Sequence, residues 1–473
     1  LLNQSSAPLL EALWAFLRDD HVPFYLPGHK RGQAIDRDLQ ALLGENLFRL
    51  DLPELPGLDR EISDAEELAA IAYGVDRTWF LVNGSTCGIA ASVLAVCQLG
   101  DKILLGRNCH KSAIAALVLS GAVPVYLPTE FNPRFELDCG VTPATLQETL
   151  IAHPDAKAVM LVSPNYFGVC GELDQIVSIA HAKSIPVLID EAHGSHLHFH
   201  PQLPMSAVDA GADLVVQSTH KVTSSLTQTS MLHWQGDLVD RVKVSQALNL
   251  VQSSSPNLIL LTSLDVARRQ MAIHGYDLLE RSLRLADTAR SNINQISGLS
   301  SFDSSDIPNL DPTRLTVSFN QLGITGFAVD RILQQLGVIA EMPTLSQLVF
   351  AISIGNTELD IEKLVQALSK IQDHLPASAN KGTRIPDPYT LQPIIKLSPR
   401  EAFFAKTDRV AFSQSIGRIC TEMLCPYPPG IPVICPGELI TSEIVEFLSL
   451  ILQADGEING CSDRSLETIR VIS

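Results

Sequence analysis

Long apolar runs are absent from these 473 residues. No stretch approaches about 18 uninterrupted hydrophobic positions, so no membrane-spanning helix is expected. Positive charge is scarce as well: 34 Lys and Arg face 52 Asp and Glu, a net charge of −18. Such a field repels phosphate, which argues against nucleic acid or an anionic membrane as partner and mildly favours cationic substrates. Aromatics are sparse at 5%. No Cys-x-x-Cys pair occurs, and the nine cysteines are scattered and odd in number, which suits reduced thiols in a large cytoplasmic protein. The opening Leu1-Leu2-Asn3-Gln4 carries no basic segment followed by an apolar run, so no secretory leader is expected.

What is present is an ordinary globular balance, 46% hydrophobic and 18% charged, in a chain too long for one compact core. From about 78 to 235, short apolar runs (78–82, 102–105, 123–127, 158–162, 187–189, 213–216) alternate with helix-like segments (88–97, 112–119, 143–151, 173–182). That alternation predicts βαβ units and a parallel sheet buried on both faces, whose ligands bind beyond the carboxyl ends of the strands. A second region, 286–375, predicts strands at 315–319 and 348–354 and helices at 327–336 and 358–374. Residues 374–393, rich in Pro, Ser, Asn and Gly, read as a linker to a third unit.

Three strand ends carry candidate chemistry. After 78–82 comes Asn83-Gly84-Ser85-Thr86-Cys87-Gly88, where small residues, free amides and hydroxyls at a helix start suit a phosphate; a capping turn accounts for the same residues. After 187–189 comes Asp190-Glu191-Ala192-His193. A carboxylate there needs a partner, which a protonated pyridine nitrogen would supply, and Ala192 is small enough to lie under a flat ring. A strand-end cap is at least as good an account of Asp190 taken alone. After 213–216 comes Gln217-Ser218-Thr219-His220-Lys221. Lysine is among the least buried residues, and in a confined site its amine can become a nucleophile for an aldehyde. Ser218 and His220 are placed to hold the same cofactor's phosphate; an exposed loop lysine is the plain alternative.

Other motifs are weaker. Arg107-Asn108-Cys109-His110-Lys111-Ser112 offers a ring-stacking imidazole at His110 or simply a polar loop. In His193-Gly-Ser-His196-Leu-His198-Phe-His200 a strand would send three imidazoles to one face, but no fourth ligand is evident, so polar loop histidines are the better reading than a metal site. Leu26-Pro-Gly-His-Lys-Arg-Gly32 lacks a P-loop's ending and setting and reads as an ordered turn.

In that order a phosphate cup, an acid and a lysine resemble fold-type I pyridoxal-phosphate (PLP) enzymes, and the chain resembles the Orn/Lys/Arg decarboxylase family among them. The resemblance runs from Leu26-Pro-Gly-His29 to Pro436-Gly437-Glu438 and is densest from Asp190 through Gly211-Ala-Asp213 and Gln217-Ser-Thr-His-Lys221 to Leu226-Thr-Gln-Thr-Ser-Met-Leu-His233. It implies an α/β fold: a PLP-dependent transferase-like (aspartate aminotransferase-type) large domain with a mostly parallel sheet (1–285), a small α/β domain (286–375), and a linker with a C-terminal domain (376–473). It implies Lys221 as the Schiff-base lysine, Asp190 as partner of the pyridine nitrogen, His110 as the stacking imidazole, and Ser85, Thr86, Ser218 and His220, with Gly84, around the phosphate. His193 joins Lys221 as a candidate proton carrier, and Ala192 lies under the ring. Gln252-Ser253-Ser254-Ser-Pro256 resembles a segment reaching the neighbouring subunit's phosphate, which implies a homodimer with sites at the subunit interface. Glu438 resembles a residue near the distal end of the substrate.

Two departures stand out. The family's longer His/Pro/Gly segment between Glu54-Leu-Pro-Gly-Leu-Asp59 and Ala65-Glu-Glu-Leu is shortened here to residues 60–64, expected as a loop. The N-terminal wing of larger members is missing, which implies the short biosynthetic type. The implied reaction is decarboxylation of a basic amino acid, arginine to agmatine foremost, in polyamine synthesis. Lysine or ornithine are alternative substrates; an aminotransferase or a non-catalytic PLP-binding protein are alternative functions.

Overall fold

The computed structural model describes residues 3–18, 22–24, 26–52, 58–374, 393–427 and 430–473. Apart from its ends, the expected linker lies outside them, as do residues 53–57 and the middle of the Cys425–Gly430 turn.

Seven strands form the first sheet: β1 (Arg77–Leu81), β2 (Lys102–Gly106), β3 (Val123–Leu127), β4 (Ala158–Val162), β5 (Val187–Asp190), β6 (Leu214–Gln217) and β7 (Ser230–Trp234). Their order is β1-β7-β6-β5-β4-β2-β3. Pairing is parallel from β3 across to β6, in the register Val162↔Asp190 and Asp190↔Val216 that brings the strand ends level. Alternation explains why these runs are continuously apolar. Leu104, Val159, Leu161, Val187, Ile189 and Val215 enter one buried core. Their immediate neighbours Ile103, Leu105, Met160, Leu188, Leu214 and Val216 enter another on the opposite face. A sheet covered on both sides has no face left for polar residues.

The mostly parallel sheet is as expected, with one addition. β7 runs antiparallel between β1 and β6. Its Ser230 and His233 interrupt the apolar pattern that marks the other strands, and His233 is buried only because its ring bonds Thr78 Oγ1 (2.8 Å) and Gln217 Oε1 (3.1 Å). Residues 60–64 are also not a loop: they lie in the helix Asp59–Tyr73, where Arg60 and Asp64 pair one turn apart.

The 36-residue helix Leu258–Ile293 carries the chain from one core to the next. Leu258, Leu261 and Leu264 pack on the first sheet, whereas Leu285, Ala286, Ala289 and Ile293 pack on the second. That second sheet is antiparallel, in the order 300–301, 314–318, 347–351, 342–343, and is backed by helices Gly326–Gln335 and Glu358–Ser369. A further core gathers Phe412, Leu424, Ile434, Phe447, Leu448 and Val471 around helix Ser442–Gln453. Among the described residues no helix is long and apolar enough to cross a membrane.

Candidate active site

The three expected strand ends converge. Helix Gly84–Val96 follows β1, and its N-cap Asn83 makes no side-chain cap bond, so the first-turn N–H groups stay available for an anion. The helix can approach this closely because of Gly88: a Cβ there would lie 2.7 Å from Leu81 Cδ1 and 2.9 Å from Val216 Cγ1. Ser85 Oγ meets Ser218 Oγ at 2.9 Å, which joins the turn after β1 to the turn after β6. Two neighbouring hydroxyls, Thr219 Oγ1 and Ser230 Oγ, are buried without a partner among the described residues.

Asp190, the last residue of β5, is buried and accepts the Ala192 N–H at 3.2 Å. Burial pushes its carboxyl above the usual range, against the pull of the Lys221 charge and that N–H. A cationic ring N–H is the kind of partner such an acid still requires. Lys221 closes a single 3₁₀ turn, Thr219–Lys221, just beyond β6. Its amine is held below the ordinary lysine range, first by burial, with Arg314 adding and Asp190 opposing. His193 Nε2 lies 2.9 Å from Lys221 Nζ. Burial, then the Lys221 and Arg314 charges, hold that imidazole well below its usual range, so it is neutral.

His110 caps helix Lys111–Ser120: its Nδ1 accepts from Ser112 N (3.3 Å) and lies 2.9 Å from Ser112 Oγ. Burial, followed by the Lys221 charge, lowers it to about 4, so the ring is uncharged at neutral pH. His220 points Nδ1 at the Thr229 carbonyl (2.7 Å). That nitrogen must carry the proton, so Nε2 donates to a phosphate only in the imidazolium form. Ser253 donates its N–H to Asn83 Oδ1 of its own chain at 3.1 Å, which puts the 252–256 segment at the lip of the cup; no hydrogen bond involving Thr86 or Ser254 side chains is among those described. Glu438 is instead held by Arg107 (3.5 Å) and by the Cys435 N–H, from which it accepts (2.8 Å), with both Glu438 and Arg107 buried.

The histidine-rich segment is no strand but a 3₁₀ turn, Leu197–Phe199, and each ring has its own carboxylate: His196 with Asp311, His198 with Asp209, His200 with Glu280. Sequence reasoning missed two residues beside Lys221. Tyr166 follows β4, a strand end like the others, and its ring sits 4.8 Å from His193 and 5.9 Å from Lys221 Nζ. Arg314 comes from the second sheet and carried no nearby motif.

This donor set fits PLP: helix amides and hydroxyls for a phosphate, a buried acid for a ring nitrogen, and a half-buried amine for an aldehyde. Residues 7–311 match the major domain of the Orn/Lys/Arg decarboxylases, and residues 387–464 match their C-terminal domain. The chain is 38% identical over 483 residues to an arginine decarboxylase of Bacillus anthracis, covering 100% of this chain and 98% of that protein. It is 37% identical over 485 residues to an arginine decarboxylase of Bacillus subtilis, covering 100% and 99%. The fold also matches lysine decarboxylase A from Pseudomonas aeruginosa, with a TM-score of 0.85 at 23% identity over 99% of this chain and 81% of that one. Francisella novicida lysine decarboxylase LdcF gives 0.84 at 22% identity, over 99% and 81%. The chain belongs to the Orn/Lys/Arg decarboxylase family.

Proposed function

We propose that this enzyme decarboxylates L-arginine to agmatine and carbon dioxide with PLP as cofactor, and that Lys221, Asp190 and His193 form the core of its site. The carrying observation is the end-to-end identity with arginine decarboxylases, supported by a half-buried Lys221 amine that meets His193 and feels the Asp190 charge. Lys221 would hold the cofactor at its aldehyde, Asp190 would face the ring nitrogen, Ala192 and His110 would flank the ring, and Gly84, Ser85, Thr86, Ser218 and His220 would take the phosphate. When bound, PLP supplies the electron sink for cleavage of the Cα–carboxylate bond. The chain supplies the rest. Asp190 provides a fixed negative charge in a water-poor setting, where it acts more strongly than in solvent. His193 Nε2, 2.9 Å from Lys221 Nζ, holds the amine in position for proton delivery by Lys221.

For the substrate's distal cation we propose Glu438, on the family resemblance. A Glu438→Gln variant with an unchanged KM for arginine would remove it from that role. We further propose a cytoplasmic homodimer serving polyamine synthesis, in which Ser253 or Ser254 completes the neighbouring site, and domain divisions near 285 and 375, supported by the change of core along helix 258–293. Supplying purified enzyme and PLP with arginine, lysine and ornithine in turn tests the substrate. Agmatine and carbon dioxide from arginine are expected. A keto acid product, or faster turnover of lysine or ornithine, would overturn the assignment, and light scattering reads the dimer.

A further inference from the structure

Arg314 opens a strand of the second sheet, yet its side chain is buried against the strand ends of the first. Its Nη2 lies 3.3 Å from His193 Nδ1 and 3.5 Å from the His193 carbonyl oxygen. On the other side of the same ring, Nε2 lies 2.9 Å from Lys221 Nζ. A guanidinium has donors only and does not lose its proton in proteins, so Nδ1 must accept. A neutral imidazole has one donor and one acceptor, and its proton is therefore on Nε2. That N–H points at Lys221 Nζ, where only an amine lone pair can receive it. The reverse arrangement, a Lys221 ammonium donating to Nε2, puts a proton on Nδ1 facing the guanidinium N–H. An imidazolium would set a third cation between two others.

We propose that Arg314 is a positioning residue that claims His193 Nδ1, fixes the Nε2–H tautomer and thereby keeps Lys221 an uncharged nucleophile. This rests on reading Lys221 as the residue that holds the cofactor. The structure is shaped around the arginine. A Cβ on Gly168, at φ +87°, would lie 2.7 Å from Arg314 Cβ and 2.8 Å from its Cγ, so the space is kept for the arginine stem. The preceding turn is anchored: Arg314 N–H bonds the Asp311 carbonyl, and Asp311 pairs with His196 at 3.1 Å with both side chains fully buried. Tyr166 packs edge-on against the far side of His193, which limits rotation of the ring. The charged and titratable groups around Lys221 are Asp190 and Glu341, which favour ammonium, Arg314, which favours amine, and His193, His110 and His220, whose rings feel the Lys221 charge.

The test uses the full chain prepared without cofactor and labelled with 15N-histidine, with the His193 signal assigned by its loss in His193→Gln. A protonated Nε2 and a bare Nδ1 are expected at neutral pH; a protonated Nδ1 in the unsubstituted protein overturns the proposal without any further variant. Competitive acetylation followed by mass spectrometry reads the Lys221 amine directly. Its midpoint should lie below those of exposed lysines such as Lys157 and Lys183. In Arg314→Met it should rise by about one pH unit, leaving about tenfold less reactive amine at neutral pH. An unmoved midpoint in folded Arg314→Met also overturns the proposal, and if that variant does not fold, the tautomer of the unsubstituted protein decides. None of these readouts needs turnover. A wrong tautomer in a working arginine decarboxylase sinks only this inference, and a right one in an inactive protein sinks only the proposed reaction.

Discussion

His196 Nε2 lies 3.1 Å from an Asp311 carboxylate oxygen with neither side chain exposed, and this contact joins the loop after β5 to the turn that delivers Arg314. Burial raises the Asp311 carboxyl, but the His196 charge and hydrogen bond, with Arg314 and Thr313, outweigh it and bring the group from 3.8 to about 2. A depressed acid stabilises the fold above its unfolded value and loses that contribution as pH falls through the folded one. The window is therefore from about 3.8 down to about 2, worth about 2 kcal/mol. His196→Ala, which leaves Asp311 buried and unpaired, should lower the unfolding free energy by about 3–5 kcal/mol at neutral pH. Urea titrations should show the gap between the unsubstituted protein and Asp311→Asn closing as pH drops from 4 to 2. A gap that is constant with pH would refute the pairing.

Gly88 tests the closeness of the phosphate helix to the sheet. Alanine gains about 1 kcal/mol of helix propensity over glycine. Its Cβ, however, would meet Leu81 Cδ1 at 2.7 Å and the stiffer Val216 at 2.9 Å. Overpacking costs about 1–3 kcal/mol, so strain outweighs propensity. Gly88→Ala should therefore be slightly destabilised, and the helix should relax away from Ser218. We expect PLP affinity to fall about tenfold, as about 1.4 kcal/mol of lost contact would give; fluorescence titration of the cofactor measures it. Unchanged affinity would mean the helix start does not hold the phosphate.

The same two contacts show how far the sequence could be read. β2 to β6 were legible because strands buried on both faces must be apolar throughout, and Lys221, Asp190 and Ser85 were legible because polar residues at the ends of such strands stand out. β7 was not, since His233 satisfies its ring through Thr78 and Gln217, partners 155 and 16 residues away. Arg314 was hidden for a similar reason. Its meaning comes from a contact with His193 across 121 residues, and local pattern carries no trace of it. The histidine-rich segment was legible as polar loop histidines, and it forms a 3₁₀ turn; what local pattern did not carry was the partner of each ring, a separate carboxylate at 209, 280 or 311, outside the segment.

Asp190→Asn separates charge from shape. Asparagine can still accept the Ala192 N–H, which now stands 3.2 Å from Asp190 Oδ1. It cannot offer a negative charge to a ring nitrogen. Removing one preorganised electrostatic contact of this kind costs about 10²–10³-fold in kcat. The variant should retain its fold and lose about that much arginine decarboxylation, with a smaller change in KM. The Lys221 amine should titrate lower too, because Asp190 is the charge that supports its protonated form. Full activity in Asp190→Asn would exclude the assigned role.

The Arg107–Glu438 pair links the first sheet to the C-terminal unit, and both side chains are buried. Arg107 also donates to the Pro432 and Val433 carbonyls at 2.7 and 2.9 Å, so a single guanidinium ties down three points of that unit. Taking two charges from water is costly, and their mutual attraction only about balances it. Removing one charge is different. Glu438→Gln keeps the side-chain shape and an acceptor for Cys435 N–H, yet leaves a buried guanidinium with no counter-charge. A loss of about 3–5 kcal/mol is expected. Replacing both residues with methionine removes the stranded charge but also the donors to the Pro432 and Val433 carbonyls, so the double variant should recover only part of the stability lost by Glu438→Gln. Denaturant unfolding of the three proteins decides the matter. If Glu438→Gln unfolds like the unsubstituted protein, the pair does not anchor the C-terminal unit, and the Arg107 bonds to the two carbonyls are sufficient by themselves.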